Sequence, residues 1–225
     1  MNAKAAAQCR GLIFRGSHIF MAKKNDIFEK LNAYFPRNNN MRSHIAVLCL
    51  LILFVGCTGI PEGLQAVDGF DAGRYLGKWY EIARLDHTFE RGLSNVTAEY
   101  SRGNGDEIQV LNRGFDVKKG QWRETRGVAR FIGEKNIGSL EVSFFGPFWG
   151  GYHIIALDRE NYGYAMVTGP SRSYLWILSR EKTLDEQVLA DLIFRAKAWG
   201  FETDRLIFVE HDIPVMDVSD ARRPD

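Results

Sequence analysis

Between Trp79 and Ser179 the chain is a succession of short apolar segments, each closed by turn residues, and this spacing constrains the fold more than anything else in the sequence. The segments expected as strands are 79–85, 96–102, 107–115, 121–131, 139–145, 152–158, 164–168 and 174–179. Between them lie Gly103-Asn104-Gly105, Lys119-Gly120, 133–138, Gly150-Gly151, 161–163 and Gly169-Pro170. Even spacing with glycine turns predicts an all-β fold, an antiparallel up-and-down barrel or a sandwich. Alternation puts Val96, Ala98 and Tyr100 on one face of their strand and Thr97 and Glu99 on the other. The same pattern sets Leu140, Val142 and Phe144 against Glu141 and Ser143. Segment 174–179 is apolar on both faces, so its outer face requires a cover.

A single helix supplies that cover. Thr183-Leu184-Asp185-Glu186 reads as a capping box with Thr183 as N-cap, and Leu184, Val188, Leu192 and Ala196 follow at four-residue steps, widened by Leu189 and Ile193. Gly200 marks its end, and a ninth short strand is expected over 205–209.

Charge and cysteines narrow the function. The 225-residue chain is nearly neutral at +1, yet residues 57–225 carry 21 Lys/Arg against 26 Asp/Glu, a net −5. An acidic body lacks the electrostatic footprint of a nucleic-acid binder. Upstream, Met41-Arg42-Ser43-His44, the apolar run 45–55 and Gly56-Cys57 have the layout of a secretory signal peptide, too short for a membrane span. Leu53-Phe54-Val55-Gly56-Cys57-Thr58 resembles the bacterial lipobox, with Phe54 where Leu is usual. By that resemblance residues 41–56 are a lipoprotein signal peptide and Cys57 is the lipid-attachment site. Thr58 after the cysteine resembles the pattern sent on to the outer membrane. A free cysteine ending an uncleaved apolar helix is the alternative. Residues 1–40 are expected to be a non-native or disordered extension ahead of a true start at Met41, or else a cytoplasmic extension carrying an internal signal-anchor. Cys9 and Cys49 leave with the leader, so the body is expected to have no disulfide and no thiol nucleophile.

Three signatures resemble the lipocalin family. Gly77-Lys78-Trp79-Tyr80 matches its G-x-W-Y motif; Tyr164–Pro170 and Tyr174–Arg180 resemble its later motifs, ending in the family's arginine; and Phe144–Tyr152 looks like the branch of bacterial outer-membrane lipoproteins. The resemblance implies an eight-stranded antiparallel up-and-down barrel with one C-terminal helix outside and a ninth short strand. Its domain would span 70–210, preceded by a lipid-anchored linker (57–69) and followed by a polar tail (211–225). Gly77, Trp79, Tyr80 and Arg180 would be structural, with Arg180 across the Trp79 ring at the closed end.

A barrel of eight strands encloses side chains or one small ligand. With Arg180 on the Trp79 face, alternation points Trp176 into the interior, where Tyr152, Phe144, Val142, Tyr100 and Ala98 also face; these six either line a ligand cavity or fill a solid core. Glu81 shares the Trp79 face, either to orient a head group or to pair with an arginine. His87, His153 and His211 are far apart, and Asp86-His87 and His211-Asp212 read as solvated surface pairs. No catalytic motif, metal set or cofactor is expected, so the chain reads as a binding protein rather than an enzyme. The expected ligand is a fatty acid or lysophospholipid, carried or stored on the periplasmic face of the outer membrane. The alternative is a tethered structural or partner-binding module that uses the apolar rim at 145–149. That rim also suits a homodimer.

Overall fold

The structure, a computed structural model, describes residues 58–211. The extension, the leader, Cys57 and residues 212–225 lie outside the described residues. After a short helix α1 (Ala72–Tyr75) come eight strands: β1 (Gly77–Arg84), β2 (Leu93–Arg102), β3 (Ile108–Asp116), β4 (Gln121–Phe131), β5 (Ser139–Phe145), β6 (Phe148–Leu157), β7 (Tyr164–Thr168) and β8 (Leu175–Ser179). Helix α2 (Glu186–Ala198), a 3₁₀ turn (Thr203–Arg205) and β9 (Ile207–Phe208) follow. From β1 to β8 each strand pairs antiparallel with its neighbour in sequence, and β1 pairs with both β8 and β2, which closes an eight-stranded barrel. Closure pairs the two edges, β1 and β8, that an open eight-stranded sheet would expose.

One end of the barrel is sealed. Trp79 is fully buried, and the Arg180 guanidinium lies 3.9 Å over its ring. The guanidinium is fixed by three carbonyls, those of Arg74 at 2.7 Å, Lys78 at 2.9 Å and Tyr162 at 3.3 Å. Trp79 Nε1 donates to the Tyr75 carbonyl at 2.8 Å, tying α1 across the same end. Gly77 stands in the left-handed region at φ +96, and a Cβ there would approach the Arg180 guanidinium at 3.3 Å. Glycine is therefore required by both backbone and neighbour.

Strand β8 separates two cores. Trp176 and Leu178 face inward, while Leu175 and Ile177 face outward onto α2 with Ile155, Ala156 and Met166. Leu192 and Ala196 of α2 are buried there. The helix starts two residues later than the capping box suggests. Asp185 is the N-cap, accepting from Gln187 N and Val188 N, while the Thr183 carbonyl accepts from Ser179 Oγ. Aspartate is as good an N-cap as threonine, and the turn held by Ser179 keeps Thr183 outside the helix.

Two terminal segments are more integrated than expected. Residues 58–69, within the expected linker, dock on the barrel: Leu64 is buried, Val67 N donates to Ile154 O and Val67 O accepts from Gly138 N, both at 2.8 Å. Ile60, Leu64 and Val67 provide the apolar surface that makes this docking favourable. At the other terminus, β9 pairs with the second half of β1 (Ala83 with Phe208, Arg84 with Ile207), where β1 no longer pairs with β2. Glu210 O then accepts from Asn95 N of β2, so the segment bridges the seam. His211, expected in the tail, is buried, its Nε2 donating to Glu81 O at 2.8 Å with its ring edge on Tyr80. Since Trp79 fills the sealed end, Trp79→Ala is expected to lower unfolding stability by about 3–5 kcal/mol, measured as a fall in the denaturant midpoint; a midpoint shift near zero would show that the ring does not hold that end.

Candidate functional site

The barrel interior is hollow above the Trp79 seal, with a cavity of about 280 Å³. Trp176, Tyr152, Phe144, Val142, Tyr100 and Ala98 all line it, along with Ile108, Val110, Ala129 and Leu140. Inward alternation from β2 through β6 and from β8 produces this wall. At its floor, Tyr152 Oη lies 2.8 Å from both Tyr75 Oη and Tyr100 Oη. Burial pushes all three phenols up, so they remain protonated and act as hydrogen-bonding groups rather than charges.

Glu81 is inside, and its partner is an arginine that alternation hides. Between Glu81 and Ala83 the register of β1 shifts: Glu81 stands opposite Leu178, and Arg84 opposite Trp176. Leu178 and Trp176 both face inward, so the bulge brings Glu81 and Arg84 to the same face although they are three residues apart. Arg84 Nη1 donates to Glu81 Oε1 at 2.6 Å, and Nη2 donates to the carbonyls of Glu90 (3.0 Å) and Leu93 (3.3 Å). The Glu90 carboxylate also lines the cavity and accepts from Trp176 Nε1 at 3.0 Å. Two buried carboxylates thus share one guanidinium. Burial, and next the Glu90 charge, push the Glu81 carboxyl up to about 8 against the pull of Arg84. Burial raises Glu90 as well. One cation cannot neutralise two desolvated anions, so the trio keeps a proton at neutral pH.

The histidines are buried, not solvated. His87 stacks between Phe89 (5.5 Å) and Tyr174 (5.0 Å) with Trp176 at 4.6 Å, forming an aromatic cluster at the open end. Burial, with Arg84 beside it, lowers its imidazole to about 4. The aromatic neighbours in 174–176 draw the ring in, whereas Asp86 turns outward to pair with Arg91. His153 is held between Ser139 Oγ and Thr58 O, each at 2.9 Å. Among the described residues no group of three or more His, Cys, Asp or Glu is placed to hold a metal ion.

A lipocalin-like domain profile matches residues 70–211. The chain belongs to the lipocalin family. This lipocalin is 52% identical over 170 residues to the outer membrane lipoprotein Blc of Vibrio cholerae serotype O1, spanning 76% of this chain and 99% of the relative. It is 46% identical over 168 residues to Blc of Escherichia coli K12, spanning 74% and 94%. Apolipoprotein D of Macaca fascicularis is 30% identical over 165 residues, spanning 64% of this chain and 84% of the relative. Insecticyanin from the tobacco hornworm Manduca sexta shares the fold, with a TM-score of 0.54 at 20% identity over 68% of this chain and 87% of that one. This lipocalin is therefore an outer-membrane lipoprotein, a binding protein for small hydrophobic ligands and not an enzyme.

Stability should report the buried trio. The folded lipocalin keeps the Glu81 proton to about pH 8, while the unfolded chain loses it near 4.5, so this group makes stability fall as pH rises between those values. His87 acts oppositely, raising stability from about pH 4 up to 6.5 and contributing nothing further above it. From pH 6.5 to 8 only the carboxyl contribution remains, so the denaturation midpoint should decline there. Glu81→Gln keeps an acceptor for Arg84 and should flatten the decline; an unchanged slope would reject the assignment.

Proposed function

We propose that this lipocalin, held at the outer membrane by acylation of Cys57, carries or stores one single-chain lipid, a fatty acid or a lysophospholipid, on the periplasmic side. The observation that carries this reading is a mostly apolar cavity open at one end only, in a chain whose relatives are outer-membrane lipoproteins. An acyl chain would run past Ala98, Val142 and Phe144 toward the three tyrosines, with its head at the mouth near Phe89, Glu90 and Trp176.

The polar groups of the cavity favour the lysophospholipid. A fatty-acid carboxylate would join two buried carboxyls whose one guanidinium is already engaged, and like charges at short range in a dry site are costly. A lysophospholipid brings hydroxyl donors instead. Asn112, in the cavity wall, has a buried Oδ1 with no partner, and such an acceptor gains most from a donor.

Burial of about fifteen methylenes at ~0.8 kcal/mol each, against at least ~4 kcal/mol of lost freedom, gives an affinity near ~1 μM. Shortening the chain by two carbons should weaken binding about 15-fold. Native mass spectrometry of the protein titrated with lysophosphatidylethanolamine and with fatty acids of graded length is the test. Trp176→Glu, which places a charge beside Glu90, should abolish the lipid adduct while the fold is retained. Absence of any adduct with either lipid class in the wild type would overturn the carrier reading.

A further inference from the structure

We propose that the open end of the barrel is a docking surface for the phospholipid head-group layer, so that the cavity mouth opens onto the bilayer that holds the anchor. The inference rests on acylation at Cys57 and goes beyond ligand binding itself.

The first observation is the position of Thr58. Its carbonyl meets His153 Nε2 at 2.9 Å, and it sits so close to Gly151 that a Cβ there would come within 2.8 Å of it. Cys57 is the adjoining residue, with its Cα about 3.8 Å from that of Thr58. An anchor at this position has no slack, because the chain is pinned to the barrel wall from Thr58 onward. Along β6, Gly151 is three residues from Phe148 at the open end and six from Leu157 at the sealed end. At about 3.3 Å per residue Thr58, against Gly151, lies roughly 10 Å from the mouth and roughly 20 Å from the seal. A head-group layer is about 5–8 Å deep, so the mouth is the end that reaches it.

The second observation is what the open end displays. Phe89, Val117, Trp122, Phe145 and Phe148, all exposed, lie in or beside the loops that join the strands there. The exposed pair Ile207 and Phe208 is paired with the open-end half of β1. Of the large exposed apolar side chains among the described residues, only Phe194, on α2, lies elsewhere. The sealed end displays none of these side chains and carries the ion pairs Lys135–Asp106 and Arg159–Asp68, while the open end carries Arg91–Asp86 and Arg123–Asp116 beside its apolar residues.

The third observation is charge. Residues 113–126, the β3–β4 hairpin at the open end, hold five Lys/Arg and two Asp/Glu in a body whose net charge is −5; Arg113 and Arg126 meet Glu124 and Arg123 meets Asp116, which leaves the excess positive charge with Lys118 and Lys119 at the tip. Lys118 and Lys119 are exposed at its tip between Val117 and Trp122. Arg113 lies 4.8 Å over the Trp122 ring. Basic residues among aromatic and aliphatic ones suit anionic phosphates over an apolar layer. A purely apolar rim would fit a second copy equally well. A basic one repels its own copy and is complementary to lipid phosphate.

The test uses the processed, lipidated chain in vesicles of phosphatidylethanolamine with phosphatidylglycerol. Nitroxide labels are placed singly through Phe148→Cys, Trp122→Cys and, at the sealed end, Glu160→Cys. Collision rates are read with oxygen and with a water-soluble nickel chelate. Labels at the first two positions should show several-fold lower nickel and higher oxygen collision rates than the third, and Lys118→Glu with Lys119→Glu should raise nickel access at the rim. Equal nickel access at all three positions overturns the proposal. Label–label dipolar coupling at the rim, unchanged on diluting the protein in lipid, also overturns it and assigns the surface to a second copy. Mass analysis of the N-terminal peptide reports Cys57 acylation separately. If that peptide is unmodified the anchor reading fails, and the same labels, with added vesicles, still decide whether the rim binds lipid. Extraction and identification of bound lipid tests the carrier reading independently of both.

Discussion

Arg180 lying over Trp79 is the interaction on which the rest of this lipocalin depends. An eight-stranded barrel is open at both ends by construction, and a through-channel would let water reach whatever lies inside. Here a cationic side chain donates to three carbonyls from three different parts of the chain while covering an aromatic plug. Desolvation lowers the Arg180 guanidinium from its usual value, but the group remains a cation at any physiological pH. The seal makes the interior a pocket with a single entrance, so every later feature has a direction. The tyrosines become a floor, and the Glu90–Trp176 pair lies toward a mouth.

Strand β1 does more than any other strand. Its first half completes the barrel against β2, its middle is bulged, and its second half is shared between β8 and β9. The bulge admits Arg84 to the interior beside Glu81, and the β9 segment closes the gap that opens toward β2. A buried trio of this kind is costly relative to an apolar wall of the same shape. The cost is offset in part by hydrogen bonds, Arg84 to Glu81 and two carbonyls, Glu90 to Trp176, while Arg84 Nε is buried without a partner. The result is a cavity whose walls are mostly apolar and whose upper part carries a buried carboxyl beside an indole N–H.

The N-terminal segment packs on the wall of that barrel. Held by His153, Ile154 and Gly138, residues 58–67 are docked on the barrel wall. Burial lowers the His153 imidazole, which favours the neutral ring that can bridge Ser139 and Thr58. With Cys57 acylated as proposed, this docked segment would restrict how the barrel faces its membrane.

The sequence alone determined the strand order, the outer helix, the two-faced β8 and the inward residues of regular strands, because period-two alternation and glycine turns are local properties. β4, β5 and β7 have the same limits in the structure as in the pattern, and Trp176, Tyr152, Phe144, Val142, Tyr100 and Ala98 meet in one cavity because alternation holds along their strands. The tertiary structure decided what alternation cannot express. Arg84 reads as outward until a bulge, set by pairing with β8, reverses it; an arginine in an otherwise apolar segment was the available clue. Glu90, Phe89 and Tyr75 come from a loop and a short helix with no periodicity to read. His87 and His211 looked solvated beside aspartates but are buried, because their neighbours in space, Tyr174 and Tyr80, are far away in sequence. Side-chain burial in a closed barrel is a property of which strands meet, and that is settled only when the sheet closes on itself.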